Sequence, residues 1–231
     1  MTASIAFDVY GTLIDPLGIS NALKPLIGKD KAHAFSETWR SKQLEYTFRR
    51  GLMRSYEEFP VCTRQALDYC CLQYNSNLDE VSRRDLMKMY QVLPAYDDVE
   101  PALRLLQDLD VQLFAFSNGV ERDIQSLLEN ANLTTYFEGI VSVDEVQSFK
   151  PDPEVYNHFL KKTRSESKST WLVSGNPFDI LGAISAGWES IWLQRQEKSI
   201  FDPWNEQASE IIKSLDELAQ IQSFHSHQSG R

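Results

Sequence analysis

The chain has 231 residues, 42% of them hydrophobic and 24% charged, with a formal net charge of −10. A chain of this length can bury roughly 70% of its unfolded surface in one core, and the balance excludes disordered, collagen-like and disulfide-scaffold proteins. The acid excess argues against a nucleic-acid partner, which calls for a basic patch, but leaves a small anionic substrate open.

The chain opens on an apolar run, residues 3–7, that stops in Asp8-Val9-Tyr10-Gly11-Thr12. A strand apolar throughout and ending in a Gly turn predicts a buried central strand of a parallel sheet. From Pro16 to about Tyr90 the pattern turns helical. Phe35, Trp39 and Tyr46 fall near one helix face, widened by Leu44 and Phe48. Further helices are expected over 56–72 and 78–89, with a turn and an N-cap at Asn75-Ser76-Asn77. After Pro94 the chain alternates. Helices are expected over 99–109, 123–131, 153–161, 180–186 and 209–221, and strands over 111–116, 139–143, 170–173 and 190–193. This predicts a doubly wound α/β domain at 1–15 and 92–231, with a helical cap inserted at 16–91. The last ten residues read as a frayed polar tail, and His225 and His227 there as tail residues rather than metal ligands.

Cys62, Cys70 and Cys71 are too few and too badly spaced for a disulfide framework or a zinc site, and read as small core hydrophobes in a reducing compartment. The N-terminus lacks the basic region and apolar length of a signal peptide. No apolar run reaches the roughly 18 residues of a membrane span. A cytoplasmic enzyme with no membrane partner is the expectation.

Ligands of open parallel sheets bind beyond the carboxyl ends of the strands. The polar residues just after the predicted strands are Asp8 and Thr12, Ser117 and Asn118, Lys150, and Ser174, Asn176 and Asp179. A carboxylate after a buried strand, a lysine to offset its charge, and hydroxyl and amide groups for an anion suit nucleophilic catalysis by a carboxylate. Each alone reads equally well as a cap, a turn or a solvated charge. Agreement among four strand ends is harder to set aside.

Four segments, Asp8-Val9-Tyr10-Gly11-Thr12-Leu13, Ser117-Asn118-Gly119, Ser148-Phe149-Lys150-Pro151-Asp152-Pro153 and Ser174-Gly175-Asn176-Pro177-Phe178-Asp179, resemble in order the four motifs of the haloacid dehalogenase superfamily. The resemblance spans essentially the whole chain and implies a Rossmann-like core with a cap. Most members of that superfamily are magnesium-dependent phosphatases, so membership alone leaves function open. Two departures decide. Phosphatases carry a second Asp two residues after the nucleophile, where Tyr10 stands, and usually a metal-binding Asp where Gly175 stands. Without a metal, a carboxylate and a phosphate dianion 4 Å apart repel by roughly 8 kcal/mol at an effective dielectric of 20. A haloalkanoate offers a neutral carbon and a single charge set aside.

The segment from Trp39 to Phe48 resembles the cap helix of the L-2-haloacid dehalogenases, and residues 56–59 its continuation. The resemblance implies hydrolysis of short L-2-haloalkanoic acids to D-2-hydroxyalkanoic acids through an aspartyl ester, without metal or cofactor. Asp8 is the implied nucleophile, Arg40 the halide acceptor, and Lys150 the charge stabiliser, with Tyr156 positioning it. Thr12 is expected to orient Asp8, and Asp179 to activate water with support from Asn176 and Ser174. Ser117 and Asn118 are expected to hold the substrate carboxylate. Tyr10, Ser41, Leu44, Phe59 and Phe178 are expected to line the pocket, Ser41 replacing the usual glutamine and Phe178 the usual tryptophan. Members are commonly dimers, which this chain permits. Two other readings stay open here: a magnesium-dependent small-molecule phosphatase, and a catalytically silent binding protein on the same fold.

Overall fold

The computed structural model describes residues 2–221 and residue 224, so Met1, His225 and His227 lie outside the described residues. β1 (Ala3–Phe7) is buried along its whole length. A helical block follows, made of α1 (Ser20–Ile27), the 25-residue α2 (Lys29–Met53), α3 (Phe59–Gln73) and α4 (Glu80–Tyr90). Then come α5 (Val99–Leu106), β2 (Val111–Ser117), α6 (Glu121–Asn130) and β3 (Gly139–Ser142). The chain continues through α7 (Pro153–Thr163), β4 (Thr170–Ser174), α8 (Pro177–Ser185), β5 (Glu189–Leu193) and β6 (Glu210–Ile212).

All six strands are parallel, in the order β3-β2-β1-β4-β5-β6. The doubly wound α/β fold expected from the alternation is what forms. β1 sits between β2 and β4, so its side chains are covered on both faces, which is why it reads as a continuous apolar run. The ladder runs one residue further, Asp8 N–H donating to Val173 O at 3.0 Å, before Gly11 turns the chain at φ +89°.

Several expectations need correction. Residues 209–221 are not a helix. Glu210–Ile212 pairs in register with Ile191–Leu193 as an edge strand, and a 3-10 turn (Leu215–Gln220) follows. Leu215, Leu218 and Ile221 are buried at three-residue spacing, the period at which side chains eclipse in a 3-10 helix. The turn starts where Ser214 N–H donates to Glu217 Oε1 at 3.1 Å. The N-cap of α4 is Asp79, accepting Ser82 N–H at 2.8 Å, four residues beyond Asn75. Pro60 in the first turn starts α3 at Phe59. The buried stripe of α2 is Ala32, Phe35, Ser36, Trp39, Gln43 and Thr47, with Leu44, Tyr46 and Phe48 only half-buried. Three of its six members are polar: Gln43 Nε2 donates to Thr63 Oγ1 on α3 at 2.6 Å, while the Ser36 and Thr47 hydroxyls donate to His33 O and Leu44 O within α2.

Cys62, Cys70 and Cys71 are buried and free. Burial pushes the Cys62 thiol up to about 11 and Cys70 to about 12. Among the described residues no helix is long and apolar enough to cross a membrane.

The two chain crossings into and out of the helical block lie side by side. Ile14 bridges Ala95, Asp15 N–H donates to Pro94 O at 2.9 Å, and Tyr96 N–H to Leu13 O at 3.0 Å. These crossings begin five residues after Asp8, at Leu13, so the block is anchored close to the carboxyl end of β1.

Candidate active site

Asp8, at the end of β1, is 6% exposed. Its Oδ2 accepts from Thr12 Oγ1 at 2.8 Å, Asn176 Nδ2 at 2.7 Å and Ser174 Oγ at 3.4 Å. Its Oδ1 accepts from Lys150 Nζ at 3.2 Å. The carboxylate is therefore oriented through one oxygen, and the other is the less engaged. Thr12 is itself fixed, its Oγ1 accepting Gly175 N–H at 2.8 Å.

Lys150 is 1% exposed, the opposite of a solvated charge. Its ammonium donates to Asp8, to Asp179 Oδ2 at 2.7 Å and to Phe116 O at 2.9 Å. Three donors meet three acceptors, which is what holding a buried ammonium requires. Asp179, in the first turn of α8, is fully buried. Burial and the neighbouring Asp8 push its carboxyl up, and Lys150 pulls it back, leaving it at about 6. Tyr156 donates its hydroxyl to Asp179 Oδ1 at 2.7 Å. Burial and the facing carboxylate raise that phenol, so it stays a donor. Tyr156, expected to position Lys150, donates to the same carboxylate as the lysine, so any hold it has on Lys150 by this hydrogen bond runs through Asp179.

A small chamber lies above this cluster, lined by Asp8, Tyr10, Arg40, Leu44, Phe59, Ser117, Asn118, Asn176 and Phe178. The Tyr10 ring stacks between Phe59 and Tyr90, with centroids 5.2 and 5.7 Å away. Ser117 Oγ accepts Gly119 N–H at 3.1 Å, which leaves its own proton to donate. Asn118 Oδ1 accepts Lys150 N–H at 2.9 Å, which leaves its amide N–H groups. Arg40 reaches in from α2, held by Nη1 to Gln43 Oε1 at 2.7 Å and by Nη2 to Tyr10 O at 3.1 Å.

Ser41 is not brought into this chamber. It is exposed, about 200° round α2 from buried Trp39 at 100° per residue. Ser174, Asp179 and Tyr156 lie behind the chamber rather than in its wall. Gln43 was missed by sequence reasoning. It is fully buried and also accepts from Tyr90 OH at 3.0 Å. Its signal was a glutamine three residues after Arg40 on the apolar face of a helix.

Gly175 explains itself sterically. A Cβ there would stand 2.4 Å from Gly11 O, a backbone atom, so no side chain fits without moving the turn that carries Thr12.

A family model described as haloacid dehalogenase-like hydrolase matches residues 2–187. The (S)-2-haloacid dehalogenase 2 of Pseudomonas sp. (strain CBS-3) is 34% identical over 225 residues, 96% of each chain. Haloacetate dehalogenase H-2 of Moraxella sp. (strain B) is 36% identical over 195 residues, 83% of this chain and 85% of that one. The structure of L-2-haloacid dehalogenase from Xanthobacter autotrophicus with chloropropionic acid covalently bound superposes with a TM-score of 0.88 at 26% identity, covering 96% of this chain and 99% of that one.

Proposed function

The chain belongs to the haloacid dehalogenase-like hydrolases, and from that premise we propose that it hydrolyses the carbon–halogen bond of short L-2-haloalkanoic acids. The observation that carries the reading is the asymmetry of Asp8, one oxygen anchored by three donors and the other left with Lys150 alone. Residues 16–91 act as the cap that brings Arg40 over a core of 1–15 and 92–231. The Ser117 hydroxyl and the Asn118 amide hold the substrate carboxylate. Oδ1 of Asp8 attacks C2 from the side opposite the halogen. A C–O bond forms, the C–X bond breaks, and halide leaves with its electron pair towards Arg40.

In the second step water attacks the Asp8 carboxyl carbon, and its proton passes to Asp179. That carboxylate already accepts from Lys150 and Tyr156, and has about two lone-pair sites left. Thr12, Asn176 and Ser174 surround Oδ2, where charge collects in the tetrahedral intermediate. Collapse breaks the bond between the Asp8 carboxyl carbon and Oδ1, the departing alkoxide takes the proton back from Asp179, and the D-2-hydroxy acid leaves; the regenerated Asp8 carboxyl then ionises beside Lys150. No step calls for a metal: the Lys150 ammonium stands between the two carboxylates, and the turn at Gly175 has no room for the acid that metal-dependent relatives carry there.

The acidic surface supports the absence of a nucleic-acid partner, and three free thiols suit a cytoplasmic enzyme. A homodimer is compatible with this reading and is checked by sedimentation. The test of function is chloride release from L- and D-2-chloropropionate in EDTA, with Asp8→Asn as control. Release from the L acid alone, lost in the variant, is expected. Silence in EDTA beside magnesium-dependent phosphate-ester hydrolysis would overturn the reading.

A further inference from the structure

The chamber at Asp8 has about 10 Å³ of free space, hardly the room for one water. Beside it lies a cavity of about 470 Å³ between the C-terminal part of α2 and residues 149–153, in the size range of small-molecule sites. Its wall is largely carbon, from Phe48, Gly51, Leu52, Phe149, Pro151 and Phe178. Phe178 lines both spaces. It is half-buried and packs edge-on against Phe48, with ring centroids 5.0 Å apart. The other aromatic walls of the chamber, Tyr10 and Phe59, are 4% and 2% exposed and locked in the core. Phe178 is thus the partition with the most freedom to move.

The charged groups at the outer cavity do not call for a polar occupant. Lys150 is already paired with Asp8 and Asp179. The Asp152 carboxylate accepts from Ser148 Oγ at 2.6 Å and Glu154 N–H at 3.0 Å.

Resting on the function proposed above, we infer that the outer cavity receives the alkyl chain of 2-haloalkanoic acids longer than propionate. The Phe178 ring turns aside, the carboxylate and C2 stay at Asp8, and C4 onward lies among Phe48, Phe149 and Pro151. The site then takes medium-chain 2-haloacids, not only the shortest.

The test uses Gly51, which touches none of the reacting groups and where an added Cβ meets nothing within 4 Å. Gly51→Leu fills the cavity from the α2 side. The readout is kcat/KM for L-2-chlorohexanoate and L-2-chloropropionate, with chloride detection. Three further methylenes, each worth about fourfold when buried, are available to the longer acid. Gly51→Leu should therefore lower its kcat/KM at least about tenfold, leaving the propionate rate within about twofold. Phe178→Ala should raise the hexanoate-to-propionate ratio. Turnover of propionate but not hexanoate by the unmodified protein would overturn the inference alone, as would a Gly51→Leu change equal for both acids. No chloride from either acid would overturn the functional reading and this inference with it. Unchanged rates with an altered sedimentation coefficient in Gly51→Leu would assign the cavity to a second copy of the chain, and overturn the inference as well.

Discussion

Replacing Lys150 with Met removes one charge from the middle of the site while roughly keeping its volume. The ammonium lies 3.2 Å from Asp8 and 2.7 Å from Asp179. At an effective dielectric of 20 those contacts amount to roughly 5 and 6 kcal/mol of gross attraction. Most of it is offset by the desolvation of three buried ions. What the variant exposes is the uncompensated remainder, two carboxylates facing each other with Phe116 O also unpartnered by the lysine. Breaking a buried pair in this way costs about 3–5 kcal/mol. For a domain of this size that corresponds to a Tm lower by about 6–20 °C. The loss should also depend on pH. One carboxylate of the variant will stay protonated in the folded chain well above its unfolded value. Folded chains then bind the proton that unfolded chains release, and stability falls as pH rises through that window. Urea unfolding at pH 5 and pH 8 reads both effects, with the larger deficit at pH 8, and halide release should fall at least about 100-fold. A variant within about 1 kcal/mol of the parent at both pH values would refute the view that Lys150 holds two ionised carboxylates together.

Tyr156→Phe tests the second carboxylate: the lost phenol donor had favoured ionised Asp179, so the acid limb of kcat, expected near 6, should move to higher pH, with activity lost as pH falls through it. An unmoved limb would remove Asp179 as the base. Gly175→Ala drives a Cβ towards Gly11 O, which should cost about 1–3 kcal/mol in thermal unfolding and disturb the Thr12 contact to Asp8. A neutral substitution would show the turn to be pliant. Gln43→Leu leaves the Arg40 Nη1, Tyr90 and Thr63 groups without their present partner. About 1–3 kcal/mol of stability should go with it, and slower halide release at unchanged fold by circular dichroism would tie Gln43 to the placing of Arg40.

The strands β1 to β5 were legible because a buried parallel strand announces itself as an apolar run closed by a polar turn, and in each case that turn is where the chain leaves the sheet. β6 was not, since three residues carry too little pattern and the leucines after it mimic a helix. On α2 the apolar stripe pointed to the right face, but polar Gln43 and Thr47 fill part of it and Ser41 stands opposite. Residue type could not tell these apart, because burial of a glutamine is decided by a partner on another helix, Thr63, twenty residues away. The same holds for Tyr156, whose hydroxyl partner lies 23 residues on. The glycine at 175 was visible as a missing acid, while its steric cause, the Gly11 carbonyl, is a tertiary contact.

Charge divides the labour of the site. Asp8 and Asp179 contribute two negative charges, Lys150 and Arg40 two positive ones, so the four sum to zero. A monoanionic haloalkanoate leaves the chamber at −1, and a phosphate dianion would leave it at −2. All three ammonium protons of Lys150 already have acceptors, so the lysine has none to offer a ligand. Arg40 differs: two of its five N–H donors are engaged, by Gln43 and Tyr10 O, which leaves about three for an anion. The residue with donors to spare sits on the inserted helical block, and the lysine beside Asp8 sits in the turn between β3 and α7. In the reaction proposed above, an anion expelled from C2 would therefore be drawn across the chamber, away from Asp8. That separation follows from where the chain crosses: the crossing that leads to Arg40 lies at residues 13–15, five residues beyond Asp8, and Arg40 returns to bind the Tyr10 carbonyl.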